Sequence, residues 1–337
     1  MAGEFARRLR SEGHSTETVD YLALLPLKLG SAVKAYYGAQ LRYAPWSYER
    51  SYQYFARMRD RFASLNAAFS KRRLTQAIQQ FDADIIVSNN PHASMALGRL
   101  RETGEIKTPV VTYVTDFGAH ALWIHPGVDE TFVIHDITAA EARSAGGRNV
   151  TVVTPVVSDK FQLCAETRSA ARSALGLPSN TTVAVLTAGS WGVGKLVETV
   201  QDLQHNHSVT PVVACGRSRA LRKKVAALAN CVALGWVDDM PALFNAADVL
   251  IENAGGISSL EALRCGLPVI SYRPIAGHGR HNVQMMAAAG LTTYARTAQD
   301  LATAVLAIPN DRAPTHAELS GCDPVRLLSS IVSRNIA

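Results

Sequence analysis

The chain alternates short runs of Val, Ile and Leu with longer stretches whose apolar residues recur every three or four positions. The runs are Ile85–Val87, Val110–Val114, Thr131–Ile134, Val150–Val153, Val183–Thr187, Val212–Ala214, Val249–Ile251 and Val269–Ser271. Apolar runs without polar alternation belong to strands buried on both faces, and such strands separated by helices build parallel sheets. A weaker strand-like run, Thr18–Leu22, precedes them. The stretch Thr154–Pro178 carries Pro155, Gly176 and Pro178 and reads as a linker. The pattern therefore predicts an α/β chain of two Rossmann-like halves: residues 1–155, a linker over 156–180, a second domain over 181–310, and a tail over 311–337. Helical spacing within the tail runs from Pro324 to Val332. In open sheets of this kind ligands sit beyond the carboxyl ends of the strands.

Composition narrows the function classes. A length of 337 residues allows two domains with cores of their own, and 47% hydrophobic with 18% charged residues describes ordinary globular interiors. No run approaches the roughly 20 apolar residues of a membrane span, and no charged-then-apolar leader opens the sequence. The cysteines Cys164, Cys215, Cys231, Cys265 and Cys322 are scattered, with no CxxC pair to suggest a disulfide frame or zinc site, and reduced cytosol is the expected compartment. Charge is uneven. Residues 1–80 hold 13 Lys/Arg against 6 Asp/Glu, while the remainder is nearly balanced. The same segment contains Tyr36, Tyr37, Tyr43, Trp46, Tyr48, Tyr52, Tyr54, Phe55 and Phe62. Basic residues interleaved with aromatic rings suit an anionic membrane surface. An amphipathic helix pair with a solvated basic face gives the same pattern. Nothing that reads bases accompanies the charge, so nucleic acid is not an expected partner.

The densest chemistry lies in residues 252–282. Glu252-Asn253-Ala254-Gly255-Gly256 ends a strand in a turn, a short helix follows, and after Gly266-Leu267-Pro268 and a new strand comes Ile275-Ala276-Gly277-His278-Gly279-Arg280-His281-Asn282. Gly255 and Gly256 would let backbone amides and a helix N-terminus approach a phosphate, with Ser258 and Ser259 adding hydroxyls. Glu261, a helical turn further on, could accept from a sugar diol. Ser258-x-x-Glu261 is also a capping-box pattern. A rival motif is Gly189-Ser190-Trp191-Gly192-Val193-Gly194-Lys195-Leu196, close to the phosphate loop of nucleotide hydrolases. Leu196, however, stands where a magnesium-binding hydroxyl is needed.

The run Ala254–Leu267 resembles the nucleotide-binding helix of glycosyltransferase family 28, which includes the monogalactosyldiacylglycerol synthases. Val213-Ala214-Cys215-Gly216-Arg217 and Gly235-Trp236-Val237-Asp238-Asp239-Met240-Pro241-Ala242-Leu243 resemble two further segments of that family. Val114-Thr115-Asp116-Phe117 with Trp123-Ile124-His125-Pro126-Gly127-Val128-Asp129 resembles the N-terminal half of its diacylglycerol branch. The likeness covers about residues 5–295. It implies a GT-B fold, two Rossmann-like domains facing a cleft, with the C-terminal tail packing back on the first domain. The family's first strand and its Gly-rich histidine loop have no counterpart ahead of Phe5, so the first strand of the N-terminal domain is expected to be missing.

The resemblance implies hexose transfer from a UDP-sugar to a lipid hydroxyl, diacylglycerol being the expected acceptor. No cofactor or metal is implied, and no obligate protein partner. The donor set it implies is Gly189, Gly192, Gly194, Arg217, Trp236, Val237, Gly255, Gly256, Ser258, Ser259, Glu261, His278, Arg280 and Asn282. His278 and Gly279 replace a Gln-Glu pair that in the diacylglycerol branch holds the hexose, which leaves the sugar open; His278 and Arg280 would balance diphosphate charge. Asp116, with His120 and His125 nearby, would serve catalysis at the acceptor, although His125-Pro126 could equally shape a turn. The expected location is cytoplasmic, peripheral on the inner face of the cell membrane. A soluble acceptor, a non-catalytic nucleotide-sugar- or lipid-binding protein, and a phosphate-loop hydrolase remain as alternatives.

Overall fold

The computed structural model describes residues 1–162, 168–187, 193–206, 208–308 and 319–336, with the side chains of 334–336 excepted. The chain divides into two compact bodies, one of Met1–Gln40, Trp46–Val156 and Leu319–Ala337, the other of Leu41–Pro45 and Val157–Glu318.

The first body starts with α1 (Ala2–Ser11) and holds most of α2 (Leu29–Tyr43), nearly all of α3 (Pro45–Arg57) and the long α4 (Arg59–Phe81). Then follow β1 (Ile86–Ser88), α5 (Pro91–Glu102), β2 (Val110–Tyr113), β3 (Glu130–Val133), α6 (Asp136–Ser144) and β4 (Val150–Val152). The four strands pair in chain order, all parallel. Val110, Val111 and Tyr113 of β2 are fully buried because apolar layers lie on both sides of the sheet. Leu74 of α4 with Ala96, Leu97 and Leu100 of α5 forms one layer, and Trp123, Ile124, Ala139 and Ala142 form another. Phe5 of α1 sets its ring edge-on against Tyr113 at 5.5 Å.

The second body comprises α7 (Arg168–Ala174), β5 (Thr182–Thr187), α8 (Leu196–Gln204), β6 (Val209–Ala214), α9 (Arg219–Ala226), β7 (Val232–Leu234) and α10 (Met240–Ala246). It continues through β8 (Val249–Glu252), α11 (Ile257–Arg264), β9 (Val269–Tyr272), α12 (His278–Ala288), β10 (Thr293–Ala295) and α13 (Ala298–Leu306). Its six strands are parallel in the order β10-β9-β8-β5-β6-β7. The last helix, α14 (Pro324–Ile336), returns to the first body. There Cys322 bridges Val153 in parallel, Val325, Leu328 and Ile331 are buried, and Ser329 meets His14 at 2.9 Å.

All eight apolar runs are strands. Two strands escaped the pattern, β7 and β10, both short sheet edges: Thr293-Tyr294-Ala295 carries little apolar signal, whereas Val232-Ala233-Leu234 is an apolar run of three that the pattern left out. Thr18–Leu22 is not a strand. Asp20 accepts from the Leu22 amide and caps a 3-10 turn over Tyr21–Leu24, while the Tyr21 hydroxyl bonds Asn66 of α4, which fixes the segment as a bracket on that helix.

The second sheet is anchored at the start of β8 by Asp248, 7% exposed. Its carboxylate pairs with both Arg168 and Arg172 of α7 and accepts from the Val183 amide at 2.7 Å, tying α7, β5 and β8 together. Removing one member of a buried ion pair strands the others without water. Asp248→Ala is expected to cost the second body about 3–5 kcal/mol, read as an earlier urea transition. An unchanged midpoint would mean that the arginines find other partners and the anchor is dispensable.

Candidate functional site

The strand order of the second sheet fixes where a ligand can sit. The chain runs outward from β5 through β6 to β7, then crosses back to lay β8 on the other side of β5 and continues to β9 and β10. Connections after β5 and β8 thus depart in opposite directions. Since all strands are parallel, their carboxyl ends line one edge, and the gap between those two connections is the binding crevice of an open sheet.

The turn after β8 stands at this point. Glu252, 4% exposed, bends its carboxyl group back over the chain reversal, and its Oε2 accepts from the amides of Ala254 (2.7 Å) and Gly255. Ser271 of β9 contacts Oε1. Burial pushes the Glu252 carboxyl above its ordinary range, against the pull of Ser271, the two amides and Ser259. Gly255 takes φ +59°, and a Cβ there would come within 2.7 Å of Asn282 Cβ. Only glycine fits both conditions. Asn282, 1% exposed, donates to the Ala254 carbonyl at 3.2 Å, so it braces the turn from α12.

Helix α11 starts directly after the turn with Gly256 at its N-cap and no side chain bonded there. The capping-box alternative for Ser258 and Glu261 is therefore overturned: both lie inside the helix. Among the described residues, none accepts from the Gly256, Ile257 or Ser258 amides, which leaves three donors at the positive end of the helix. Ser258 is half-buried at this end. Ser259 points inward, 1% exposed; its hydroxyl faces Glu252 yet reaches no hydrogen-bond partner. Glu261 is half-buried, and loss of water pushes its carboxyl up to about 7.

The neighbouring loop is tied to the same edge. The Ile275 amide donates to the Asn253 carbonyl at 2.8 Å. Arg273, with φ +50°, pairs with Asp202 of α8 at 2.7 Å, and the Tyr272 hydroxyl donates to the same carboxylate. Gly277 caps α12, whose first turn presents His278, half-buried, and Arg280, exposed. Gly279 is packed so close to Ile275 that a Cβ would fall 2.3 Å from its side chain, which gives a packing reason for the missing acidic residue there.

Beyond β6 and β7, Arg217 stacks on the ring of Trp236, its guanidinium 4.6 Å from the ring centre, and Trp236 Nε1 donates to Asp238 at 2.9 Å. Trp236 is 51% exposed and Val237 half-buried, so the indole is a surface platform held by a cation rather than core filling. Gly189 and Gly192 lie outside the described residues. Gly194 lies against Asn253, whose amide donates to the Val193 carbonyl at 3.4 Å. Leu196, 4% exposed, packs with Val200 and Leu203 in the core. The position after Lys195 thus serves the fold, which removes the magnesium ligand that a phosphate-loop hydrolase requires.

In the first body, Asp116 follows β2. Its Oδ2 accepts from Trp123 Nε1 at 3.0 Å and lies 4.0 Å from His120 Nε2. The loop carrying these groups is pinned by Thr138, which donates to the Phe117 carbonyl, and by Glu141, which accepts from the Ala119 amide. His120 stacks edge-on against Tyr52, and Tyr52, Tyr48 and Tyr37 form a continuous aromatic row. Burial raises the hydroxyl pKa of all three, Tyr37 to about 12, and the Asp116 charge adds to each shift.

These three tyrosines are packing rather than surface, which corrects their grouping with a membrane-facing set; Phe62 is buried as well. Tyr36, Tyr43, Trp46, Tyr54 and Phe55 remain exposed. His125 is also a correction. It is 4% exposed, accepts from the Gly127 amide through Nδ1 at 3.0 Å, and packs its ring on Gly98 of α5. Burial lowers its pKa, and the charges acting on it are Glu102, Arg59, Arg99 and Asp60, not Asp116. It shapes the turn and takes no part in the Asp116–His120 pair. Sequence reasoning missed Trp123 and Glu141 as supports, and Glu252 as the hub of the turn. A carboxylate closing an apolar strand just ahead of Asn-Ala-Gly-Gly was the available signal. Among the described residues, no group of three His, Cys, Asp or Glu side chains is disposed to hold a metal ion.

Residues 4–155 match the model of the monogalactosyldiacylglycerol (MGDG) synthase family, and residues 181–311 match glycosyl transferases group 1. Among curated proteins, the chain is 30% identical over 247 residues to the processive diacylglycerol beta-glucosyltransferase of Bacillus pumilus, covering 71% of this chain and 64% of that protein. The Bacillus subtilis protein of the same name is 27% identical, at 73% and 65% coverage. The chain thus spans just under two thirds of these relatives' length. Among solved structures, Anabaena HepE in complex with UDP and glucose superposes with a TM-score of 0.54 at 16% identity, covering 78% of this chain and 80% of that one. S. aureus MnaA in its UDP co-structure gives 0.55 at 14% identity, at 81% and 79%. The resemblance to the diacylglycerol branch is borne out by these matches, and the two parallel α/β bodies are those of the GT-B fold.

Glu261 supplies a pH signature. Well below pH 4.5 both the folded and unfolded chains hold its proton. As pH rises to about 7 the unfolded chain releases it while the folded chain retains it, so stability falls through this window. The full loss, reached above the folded pKa, is up to about 3 kcal/mol. Glu261→Gln is expected to flatten that part of the curve in urea titrations across the window. Parallel curves for variant and wild type would show that Glu261 is fully hydrated.

Proposed function

We propose that this chain, which joins an MGDG synthase domain (residues 4–155) to a glycosyl transferases group 1 domain (residues 181–311), transfers a hexose from a UDP-sugar to the hydroxyl of diacylglycerol. The observation that carries the reading is the amide-lined turn at the switch point of the second sheet, in a chain whose curated relatives are diacylglycerol glucosyltransferases. The three unpartnered amides at the start of α11 suit a diphosphate, and His278 and Arg280 at the start of α12 add positive charge as it departs, without a metal. Glu261 receives the ribose diol. The Arg217–Trp236 platform lies at the ends of β6 and β7, where a uracil ring would stack.

Asp116 is the group proposed to take the proton of the acceptor hydroxyl. Trp123 occupies Oδ2 and fixes the carboxylate's direction, leaving Oδ1 for the acceptor, while His120 stands beside it as a second polar contact. The half-buried tyrosine row gives that pair an aromatic wall. At the surface, Trp46 with Arg50 stacked 5.2 Å from its ring centre, together with Tyr36, Tyr54 and Phe55, has the chemistry of a headgroup contact. No helix among the described residues is long and apolar enough to cross a membrane. The proposed attachment is peripheral, on the cytoplasmic face.

The test offers labelled UDP-glucose, UDP-galactose and UDP-N-acetylglucosamine to the full chain with diacylglycerol vesicles. Label should enter the lipid from one donor, and Glu261→Ala should cut transfer about tenfold to a hundredfold through the lost diol contacts. UDP binding without lipid labelling would discard the lipid acceptor and favour a soluble one or a binding protein. In a second measurement, sedimentation with phosphatidylglycerol vesicles should fall in Trp46→Ala/Arg50→Ala and at raised salt. Equal binding by variant and wild type would remove α3 from the membrane contact.

A further inference from the structure

We propose that Glu252 is a positioning residue that sets the Ala254-Gly255 turn as a neutral acid, its own proton starting a one-way chain of hydrogen bonds through Ser271 and Thr292 to the Val269 carbonyl. The inference rests on the nucleotide reading above for its consequence, and on a proton count for its substance.

Three contacts lie in series inside the sheet. Thr292 Oγ1 is 3.0 Å from the Val269 carbonyl oxygen, Thr292 Oγ1 is 2.9 Å from Ser271 Oγ, and Ser271 Oγ touches Glu252 Oε1. Three hydrogen bonds need three protons, and the two hydroxyls own one each. A carbonyl cannot donate, so the Thr292 proton goes to Val269. Thr292 then accepts from Ser271, whose only proton is thereby used. Ser271 turns a lone pair toward Glu252, and the third proton belongs to Oε1. An ionised Glu252 would leave one contact of the series without a proton. The other oxygen, Oε2, is free to accept from both turn amides in the neutral form.

The surroundings favour that state. Ser271 and Glu252 are buried, and the influences on the carboxyl are burial and uncharged polar groups, with no charged side chain among them. The titratable groups on the adjoining elements are Glu261 on α11, Tyr272 and Arg273 at the end of β9, Asp202 on α8, and His278, Arg280 and His281 on α12. None of these offsets a charge on Glu252. A buried carboxylate with no cation nearby holds its proton.

The consequence for the site is electrostatic. The turn must be held by an acceptor that reaches two successive amides, which a carboxyl oxygen does well. A full negative charge directly behind a diphosphate site would repel the ligand that the neighbouring amides attract. A neutral acid supplies the acceptor without the charge.

The full-length chain tests this with Glu252→Gln and Glu252→Ala. In the glutamine variant the amide oxygen accepts from the turn and the amide nitrogen donates to Ser271, reproducing the neutral acid. Its melting temperature should equal or exceed that of the wild type, and its UDP affinity should stay within about threefold. Glu252→Ala strands two amides and Ser271, and should weaken UDP binding about tenfold or more. The infrared difference spectrum of wild type minus Glu252→Gln near neutral pH should contain the carbonyl band of a protonated carboxylic acid, with the contribution of Glu261 cancelling. Carboxylate bands in its place, or a glutamine variant as impaired as the alanine one, would overturn the proposal. Wild-type UDP binding is measured beside these. Its absence would sink the nucleotide reading, while the difference band would still decide the state of Glu252.

Discussion

The carboxyl edge of the second sheet depends on one close approach, that of Gly255 to α12. With φ at +59° and the Asn282 Cβ against the space a side chain would fill, the backbone can turn tightly enough to point the amides of Gly256, Ile257 and Ser258 outward together. Two buried groups hold this geometry from opposite sides. Glu252 takes the amides that the reversal would otherwise leave unsatisfied, and Asn282 takes the Ala254 carbonyl. The inward backbone groups of the turn are thus answered, while the amides of Gly256, Ile257 and Ser258 at the start of α11 are not. Backbone donors buried without partners cost a few kcal/mol each, so a turn with this division of labour has little alternative conformation to relax into.

The first body fixes its candidate carboxylate by different means. Asp116 is aligned by a single indole N–H, and the loop that carries it is stitched to α6 through Thr138 and Glu141. Around it the aromatic row Tyr37, Tyr48, Tyr52 and His120 excludes water, which makes the site rigid by packing rather than by a dense hydrogen-bond net. The two bodies therefore present functional groups from the same kind of sheet edge with opposite chemistry: backbone amides in one, a side-chain acid walled by rings in the other.

Much of this was legible in the sequence. Eight uniform apolar runs predicted eight strands, since a strand buried on both faces leaves no room for polar alternation, and the Gly-Gly pair marked the tight reversal after β8. The edge strand β10, Thr293-Tyr294-Ala295, was invisible because an edge strand need not be apolar throughout, while Val232-Ala233-Leu234 of β7 is apolar but too short to stand out between two polar loops. Thr18–Leu22 misled because its β-branched and aromatic content is typical of strands, while a local cap by Asp20 and the tertiary bond of the Tyr21 hydroxyl to Asn66 of α4 fix it as a turn. The aromatic residues of α2 and α3 could not be divided by composition. Tyr36 and Tyr37 are adjacent, yet one is exposed and the other walls Asp116, a distinction set by helix phase against a loop some eighty residues away. His125 failed for a similar reason: only the neighbour Gly98, on another element, shows that its ring is packed.

The two ways of attracting an anion differ in range, and that separates their roles. Residues 1–80 carry the chain's excess of positive charge on long exposed side chains, a field that acts over distances comparable with the Debye length, about 8–10 Å at physiological salt, and is weakened by added ions. The turn after β8 has no such cluster. There the oriented N–H dipoles, beside the cationic side chain of Arg280, would act at contact, inside the first hydration layer. A diffuse field suits a broad anionic surface whose groups have no fixed position, because it requires no register. Directed amides suit one diphosphate in one pose, because they reject an anion that is misplaced by an ångström. A hold of the first body on a charged surface would therefore be loosened by salt, whereas the geometry at Gly255–Ser258 would stay intact.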